Sequence, residues 1–276
     1  MSKDSSHGPL GEAVSYPSQY DPTCLHPIPR CAGRIALGLG EVLPFQGVDI
    51  WNAYELSWLD QKGKPAVACA EFRVPADSPN IIESKSFKLY LNSLNQSRLG
   101  SAAEVQALLE RDLSAAAGAG VTVAIYRPEQ WAAAYSIVTP TGECLDGLDL
   151  LLLGSHPNGE VLVVDNSEIV TETLYSHLLR SRCPVTSQPD WASVEIAYTG
   201  AKIHGQSLLS YLVSFREHDE FHEHCVERIF KDISDYCQPT KLTVYARYLR
   251  RGGLDINPWR SSDLQGQALN IRGVRQ

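Results

Sequence analysis

Apolar Val194, Ile196 and Tyr198 alternate with Glu195 and Ala197, the two-residue period of a strand with one buried face. Leu242, Val244, Ala246 and Tyr248 repeat that alternation further on. Between these runs the period changes. Residues 207–217 read as a helix, and from Phe221 onward Cys225, Val226, Ile229, Phe230 and Ile233 recur at helical spacing until the pattern fades near Cys237. Earlier in the chain, Ser101 and Glu104 form a capping-box signature ahead of an apolar stripe of Val105, Leu108, Leu109 and Leu113, which Gly118 and Gly120 end. The stretch from about Pro128 to Glu172 holds only short strand-like pieces, Leu150–Leu153 and Val161–Val164, and reads as a bridge.

These elements repeat. Ser86–Leu94 lines up with Ser207–Phe215 at a shift of 121, and Thr122-Val123 with Thr243-Val244 at the same shift. Glu71 in a strand-like run matches Glu195, and Glu110-Arg111 matches Glu227-Arg228, at slightly different shifts that call for small insertions. Matches in the same order along the chain predict duplicated halves. Strands grouped apart from helices predict an α+β fold with an antiparallel sheet and its helices on one face. The expected division is an N-terminal arm over residues 1–45, a first domain over 46–160 and a second over 161–276. The arm, rich in Ser, Pro and Gly, reads as an extended segment that packs over a neighbour or stays mobile.

Composition narrows the function. In 276 residues, 43% hydrophobic and 20% charged content is that of a globular chain. A net charge of −8 argues against a general nucleic-acid surface, although Arg247, Arg250 and Arg251 could form a local phosphate site. Residues 1–20 contain no apolar core of a secretory signal, and the longest apolar run, near Leu148–Leu153, is too short to span a bilayer. The seven scattered cysteines lack CxxC spacing and suggest a reduced, cytoplasmic protein. Gly38-Leu39-Gly40 lacks the third glycine and the preceding strand of a dinucleotide fingerprint.

Three clusters could carry chemistry. Cys183 and Asp190 are framed by Pro184 and Pro189, whose rings keep Cys183 and Gln188 out of a helix and could hold a thiol and a carboxyl as a rigid pair. The bland alternative is a buried cysteine and a turn aspartate. Glu83, Lys85 and Lys88 flank a helix start, either as a solvated first turn or as a carboxylate for a nitrogen-rich ring beside amines for a phosphate. His218, His222, His224 and Cys225 invite a metal reading, but the HExxH order is absent and zinc would need ligands elsewhere. His222, at the start of its helix and one turn before Val226, is instead expected on the buried side as a neutral imidazole, with Glu223 beside it. The thiol belongs to one half and the Glu83 cluster to the other, so a site drawing on both is expected.

With these residues assembled, the chain resembles the QueF family of NADPH-dependent nitrile reductases, within the tunnelling fold that also contains GTP cyclohydrolase I. The resemblance rests on Glu83–Tyr90 (Glu-Ser-Lys-Ser-Phe-Lys-Leu-Tyr), on Cys183 and Asp190, on Phe221-His222-Glu223, and on the tail from Tyr248 to Arg260. It implies two tandem tunnelling-fold domains, a homodimer, and reduction of 7-cyano-7-deazaguanine to the 7-aminomethyl compound with two NADPH, in queuosine biosynthesis for tRNA. It also implies roles: Cys183 as nucleophile and Asp190 as proton donor with a pKa raised by burial; the group that protonates the imine is not fixed by it, and His222 is the hypothesis for that step. Substrate contacts fall on Ile82, Glu83, Ser84, His222 and Glu223, NADPH contacts on Ser84, Lys85, Arg251 and Gly252, and no metal is expected. The small-molecule nitrile is the expected partner, with no nucleic acid bound directly and no membrane. The alternatives are a metal-dependent pterin- or purine-ring hydrolase of the GTP cyclohydrolase I type and a non-catalytic ring-binding module.

Overall fold

The computed structural model describes residues 16–150, 154 and 156–276. They form two compact units. The first holds residues up to 33 with 49–136 and 250–255; the second holds 34–48, 137–249 and 256–276. Both are α+β, with sheets dominated by antiparallel pairs.

In the first unit a short pair of strands, β1 (Pro27–Pro29) and β4 (Asn80–Ile82), accompanies a sheet of β2 (Gln46–Leu59), β3 (Pro65–Pro75) and β5 (Thr122–Tyr126) in the order β5–β3–β2. Glu71 of β3 stands opposite Ala124 of β5 in an antiparallel register. Helix α1 (Arg30–Ala36) arises in the arm, where the proline content hides it from a periodicity reading. Helix α2 (Ser84–Ser93) buries Phe87, whose ring lies 5.2 Å from Trp51 and 5.0 Å from Phe72. Helix α3 (Ala102–Ala117) begins at the expected capping box of Ser101 and Glu104 and ends at Gly118, whose φ of 72° is the left-handed conformation only glycine adopts freely. Val105, Leu109 and Leu113 of its stripe are fully buried, while Leu108 is only half-buried. A four-residue helix, α4 (Trp131–Ala134), follows β5.

Residues 16–30 of the arm lie against this unit of their own chain. The Tyr20 amide donates to Ser97 Oγ at 2.6 Å, and the hydroxyls of Tyr20 and Tyr90 both donate to the buried carboxylate of Asp112. The Glu83 amide donates to the His26 carbonyl, and the His26 amide to Ser86 Oγ.

The second unit carries β6 (Glu143–Cys144), β7 (Val164–Arg182), β8 (Pro189–Ile203), β9 (Lys241–Tyr248) and β10 (Leu254–Ser261) in the order β10–β9–β8–β7–β6, with only β6–β7 parallel. Helices α5 (Gly205–Val213) and α6 (His222–Cys237) accompany it. Along β8 every second residue from Asp190 to Tyr198 is buried, and Val226, Ile229, Phe230 and Ile233 of α6 are 0–1% exposed. Burial of each such side chain contributes about 1.5–3 kcal/mol, enough to seat the helix. Glu227 of the same helix is fully buried between two guanidinium groups, Arg34 at 2.7 Å and Arg260 at 2.9 Å.

The expected strand at Val161–Val164 is instead a 3-10 turn (Gly159–Val161) leading into β7. Of the other expected piece, residues 151–153 lie outside the described ones. The repeat, in contrast, maps onto whole elements. Helix α5 starts at Gly205, 121 positions after Ser84 of α2, and α6 starts at His222, 120 positions after Ala102 of α3.

Candidate active site

β7 and β8 form a hairpin in which Ser181 pairs with Asp190 and Arg182 with Pro189. Its connection, residues 183–188, is closed by two backbone hydrogen bonds of 2.9 Å, from the Cys183 amide to the Gln188 carbonyl and from the Ser187 amide to the Cys183 carbonyl. Ser187 takes φ of 54°, a left-handed conformation that costs an L-residue roughly 1–2 kcal/mol. Such local strain persists only where the surroundings impose it. Pro184 and Pro189 bracket the turn, and neither Cys183 nor Gln188 is helical. The thiol and the carboxyl therefore stand on the two arms of one tight hairpin, and both residues are 6% exposed.

Arg182, next to the thiol, ties this hairpin to the segment that starts α6. Its guanidinium meets both oxygens of Asp219 at 2.9 and 3.1 Å and Glu217 at 2.6 Å. Its amide donates to the His218 carbonyl, and its carbonyl accepts from the Glu220 amide. The chain then enters α6 at the N-cap Phe221, two residues later than Asp219, so His218 lies outside the helix and shares no helical face with His222. Burial lowers the pKa of His218, and His224 turns instead to Glu220 at 3.3 Å. Among the described residues no group of three or more His, Cys, Asp or Glu is placed to hold a metal ion.

His222 is half-buried, with Nε2 3.5 Å from Asp190 Oδ2, too long for a good hydrogen bond but close for a proton-handling pair. Its ring lies against Tyr248, with centroids 4.0 Å apart and planes at 53°. Ser181, Cys225 and Tyr248 are buried in the same neighbourhood. Burial drives the thiol of Cys225 and the phenol of Tyr248 far toward their neutral forms, and in each case the Asp190 carboxylate adds to the rise. Glu223 is 3% exposed, in the first turn of α6.

In the first unit, Glu83 does more than flank a helix. It is the N-cap of α2, and its two carboxylate oxygens accept from the amides of Lys85 and Ser86 at 2.7 and 2.6 Å. It is 1% exposed, and that burial raises its pKa, outweighing the two amides and the Lys88 ammonium, which lower it. A solvated first turn is therefore the wrong description of Glu83. Ile82 beside it is buried, while Ser84 and Lys85 are half-buried.

The same unit contains a cavity of about 220 Å³ lined by Glu55, Lys88, Asn92, Asn95, Gly252 and Gly253, among others. Gly252 and Gly253 both take positive φ, 59° and 75°. A Cβ at Gly252 would come within 3.1 Å of the Lys88 side chain, and one at Gly253 within 2.6 Å of Glu55. The two glycines thus make room for the Lys88 and Glu55 side chains, and Arg250 lies over Tyr54 at 4.9 Å nearby. The cavity lining carries one ammonium, Lys88, and one carboxylate, Glu55.

Two contributors escaped a reading of the sequence. Tyr248 counts there as a strand residue and the start of the family-like tail, since its meeting with His222 joins positions far apart in the chain. Arg182 offers no signal beyond its place before Cys183.

Comparison with known proteins completes the picture. Residues 16–125 match a family described as "Nitrile reductase, 7-cyano-7-deazaguanine-reductase N-term", and residues 189–267 one described as "QueF-like protein". A Bordetella avium protein named NADPH-dependent 7-cyano-7-deazaguanine reductase is 57% identical over 271 residues, spanning 98% of this chain and 99% of that one. Proteins of the same name from Bordetella pertussis and Chromobacterium violaceum are each 56% identical over 98% of this chain and 99% and 97% of theirs. A solved structure, archaeosine synthase QueF-Like in the apo form, aligns with 35% of this chain and 95% of its own at 16% identity and a TM-score of 0.31, too slight a likeness to bear on the fold. With identity of this order along almost its entire length, the chain belongs to the family of 7-cyano-7-deazaguanine reductases.

Proposed function

We propose that this protein reduces the nitrile of 7-cyano-7-deazaguanine to the 7-aminomethyl group with two NADPH, in queuosine biosynthesis, through a thioimide on Cys183. The observation that carries the reading is the β7–β8 hairpin. In a chain of this family, it holds a thiol on one arm and a buried carboxyl on the other, with the His222 imidazole 3.5 Å from that carboxyl.

A nitrile carbon accepts hydride poorly. Addition of Cys183 Sγ across the C≡N bond gives a thioimide, a better acceptor, and the nitrogen takes a proton as its negative charge develops. Asp190 supplies that proton, a role that requires it to hold one when substrate binds. NADPH, when bound, supplies one hydride to the carbon in each of two rounds. After the first, the C–S bond breaks, the thiol returns to Cys183 and an imine remains. His222 donates the proton that accompanies the second reduction of that imine.

Binding follows from the remaining groups. The amino-pyrimidinone edge of a deazaguanine presents several N–H donors. Glu83 has two of about four carboxylate acceptor positions occupied by amides, which leaves capacity for the ring, with Ile82 and Ser84 alongside. Glu223 and His222 take the same role. Ser84, Lys85, Arg251 and Gly252 hold NADPH, with the cations on its phosphates. The cavity that Lys88, Gly252 and Gly253 help to line supports that assignment.

We also place the protein in the cytoplasm as a homodimer of two tandem tunnelling-fold domains divided near residues 46 and 160. The support is the matched order of strands and helices in the two units and the absence of a disulfide among the described residues. No described helix is long and apolar enough to cross a membrane. Following the NADPH absorbance band on adding the nitrile tests the activity. Two NADPH should disappear per nitrile, and no loss with pure, folded protein would sink the reading.

A further inference from the structure

We propose that Tyr248 is a positioning residue for the reaction, acting as a ring platform that holds the His222 imidazole edge-on to Asp190. This rests on the reading of Asp190 and His222 as the proton donors.

The register of the sheet puts these groups together. Tyr248 is paired with Ala192 across β8 and β9, and Asp190 lies two residues before Ala192, so on the same face and diagonal to Tyr248. On that face Tyr248 is 1% exposed and is locked by its neighbours. The Leu249 amide donates to the Trp191 carbonyl at 2.9 Å, and the Gln276 side chain donates to the Tyr248 carbonyl at 3.1 Å and to Asn257 Oδ1 at 2.7 Å. The platform is therefore stiffer than the group it carries.

His222 has little else to fix it. Its Nε2 is buried and makes no hydrogen bond among the described residues, and its approach to Asp190, at 3.5 Å, is too long to set an orientation. It is the first residue of α6, and the segment before it is tied by Arg182 through Asp219 and Glu217. The ring-to-ring contact with Tyr248, at 4.0 Å between centroids, is the contact that sets which way Nε2 points. The Tyr248 hydroxyl does not take part. It faces Ser181 and Cys225 rather than His222, so the ring and not the oxygen carries the role.

The test uses full-length protein. With histidines labelled at Cε1, the His222 signal, identified by its loss in His222→Gln, should show a ring-current displacement in ligand-free wild type. Tyr248→Phe should keep that displacement and hold kcat within about threefold. Tyr248→Leu should lose it and lower kcat more than tenfold while KM for the nitrile moves less than threefold. In a His222→Ala background, Tyr248→Leu should lower kcat no further, because the ring acts only through His222. An undisplaced His222 signal in wild type would overturn the proposal even if Tyr248→Leu failed to fold. So would equal losses in Tyr248→Phe and Tyr248→Leu, or a full further loss in the His222→Ala background. The NMR arm needs no turnover, so a wild type that consumes no NADPH would refute the functional reading without deciding the platform.

Discussion

Replacing Glu83 separates its structural work from its binding work. The carboxylate accepts from the amides of Lys85 and Ser86 at 2.7 and 2.6 Å. In Glu83→Ala the half-buried Lys85 amide can turn to water, whereas Ser86 is fully buried, and its orphaned amide costs about 1–3 kcal/mol. Loss of an N-cap by itself costs about 0.5–2 kcal/mol. The two figures describe one interaction and do not add. The expected destabilisation is about 2 kcal/mol at neutral pH, read from urea unfolding followed by circular dichroism.

The pH dependence carries a sign. Burial raises the pKa of Glu83 above its ordinary value of 4.5, so the folded state binds this proton more tightly than the unfolded chain. The part of its stability that depends on the bound proton is then fully present below the unfolded pKa and is lost as pH rises through the folded value, whereas the cap hydrogen bonds persist. Wild type should accordingly lose ground to Glu83→Gln as pH rises from about 4.5, the ordinary value. Binding of the nitrile should weaken in both variants at pH 7, by more than the fold defect explains. Wild-type stability in Glu83→Ala, or a gap to Glu83→Gln that grows with pH in favour of wild type, would refute this account of the cap.

Other substitutions probe other parts. Asp190→Asn should slow reduction about 10²–10⁴-fold while leaving nitrile affinity within a few-fold, as measured by single-turnover kinetics and calorimetry. Gly253→Ala places a Cβ 2.6 Å from Glu55 in a left-handed backbone, so it should raise KM for NADPH more than KM for the nitrile and cost about 1–2 kcal/mol of stability. Glu227→Gln leaves the guanidinium groups of Arg34 and Arg260 without their shared anion in a fully buried place, and should destabilise by about 3–5 kcal/mol in chemical denaturation.

Much of the fold could be read from local pattern because its signals are local. The Ser101–Glu104 capping box, the stripe on α6 and the alternation in β8 and β9 each lie within one element, and each is found where the pattern puts it. The repeat added a longer-range signal, since α2 and α5 preserve the same offset as the residues within them. What escaped depends on tertiary contact or on exposure. β7 runs for 19 residues, but no residue of its first half is buried, so no alternation marks it. Glu83 read as a surface charge because glutamate is an unusual N-cap, and only the structure shows its carboxylate turned inward. The candidate residues Cys183 and Asp190 were legible through the prolines that frame them. The strain at Ser187, the Arg182 tether and the Tyr248–His222 stack have no counterpart in spacing.

The central claim is that Cys183 adds covalently to the nitrile before any reduction. An intact-mass spectrum of the protein mixed with 7-cyano-7-deazaguanine in the absence of NADPH tests it most directly. Wild type should gain the full mass of the nitrile, since addition across C≡N expels nothing, and Cys183→Ala should bind the compound yet show no gain. An unshifted wild type under saturating nitrile, or an adduct that persists in Cys183→Ala, would contradict the account.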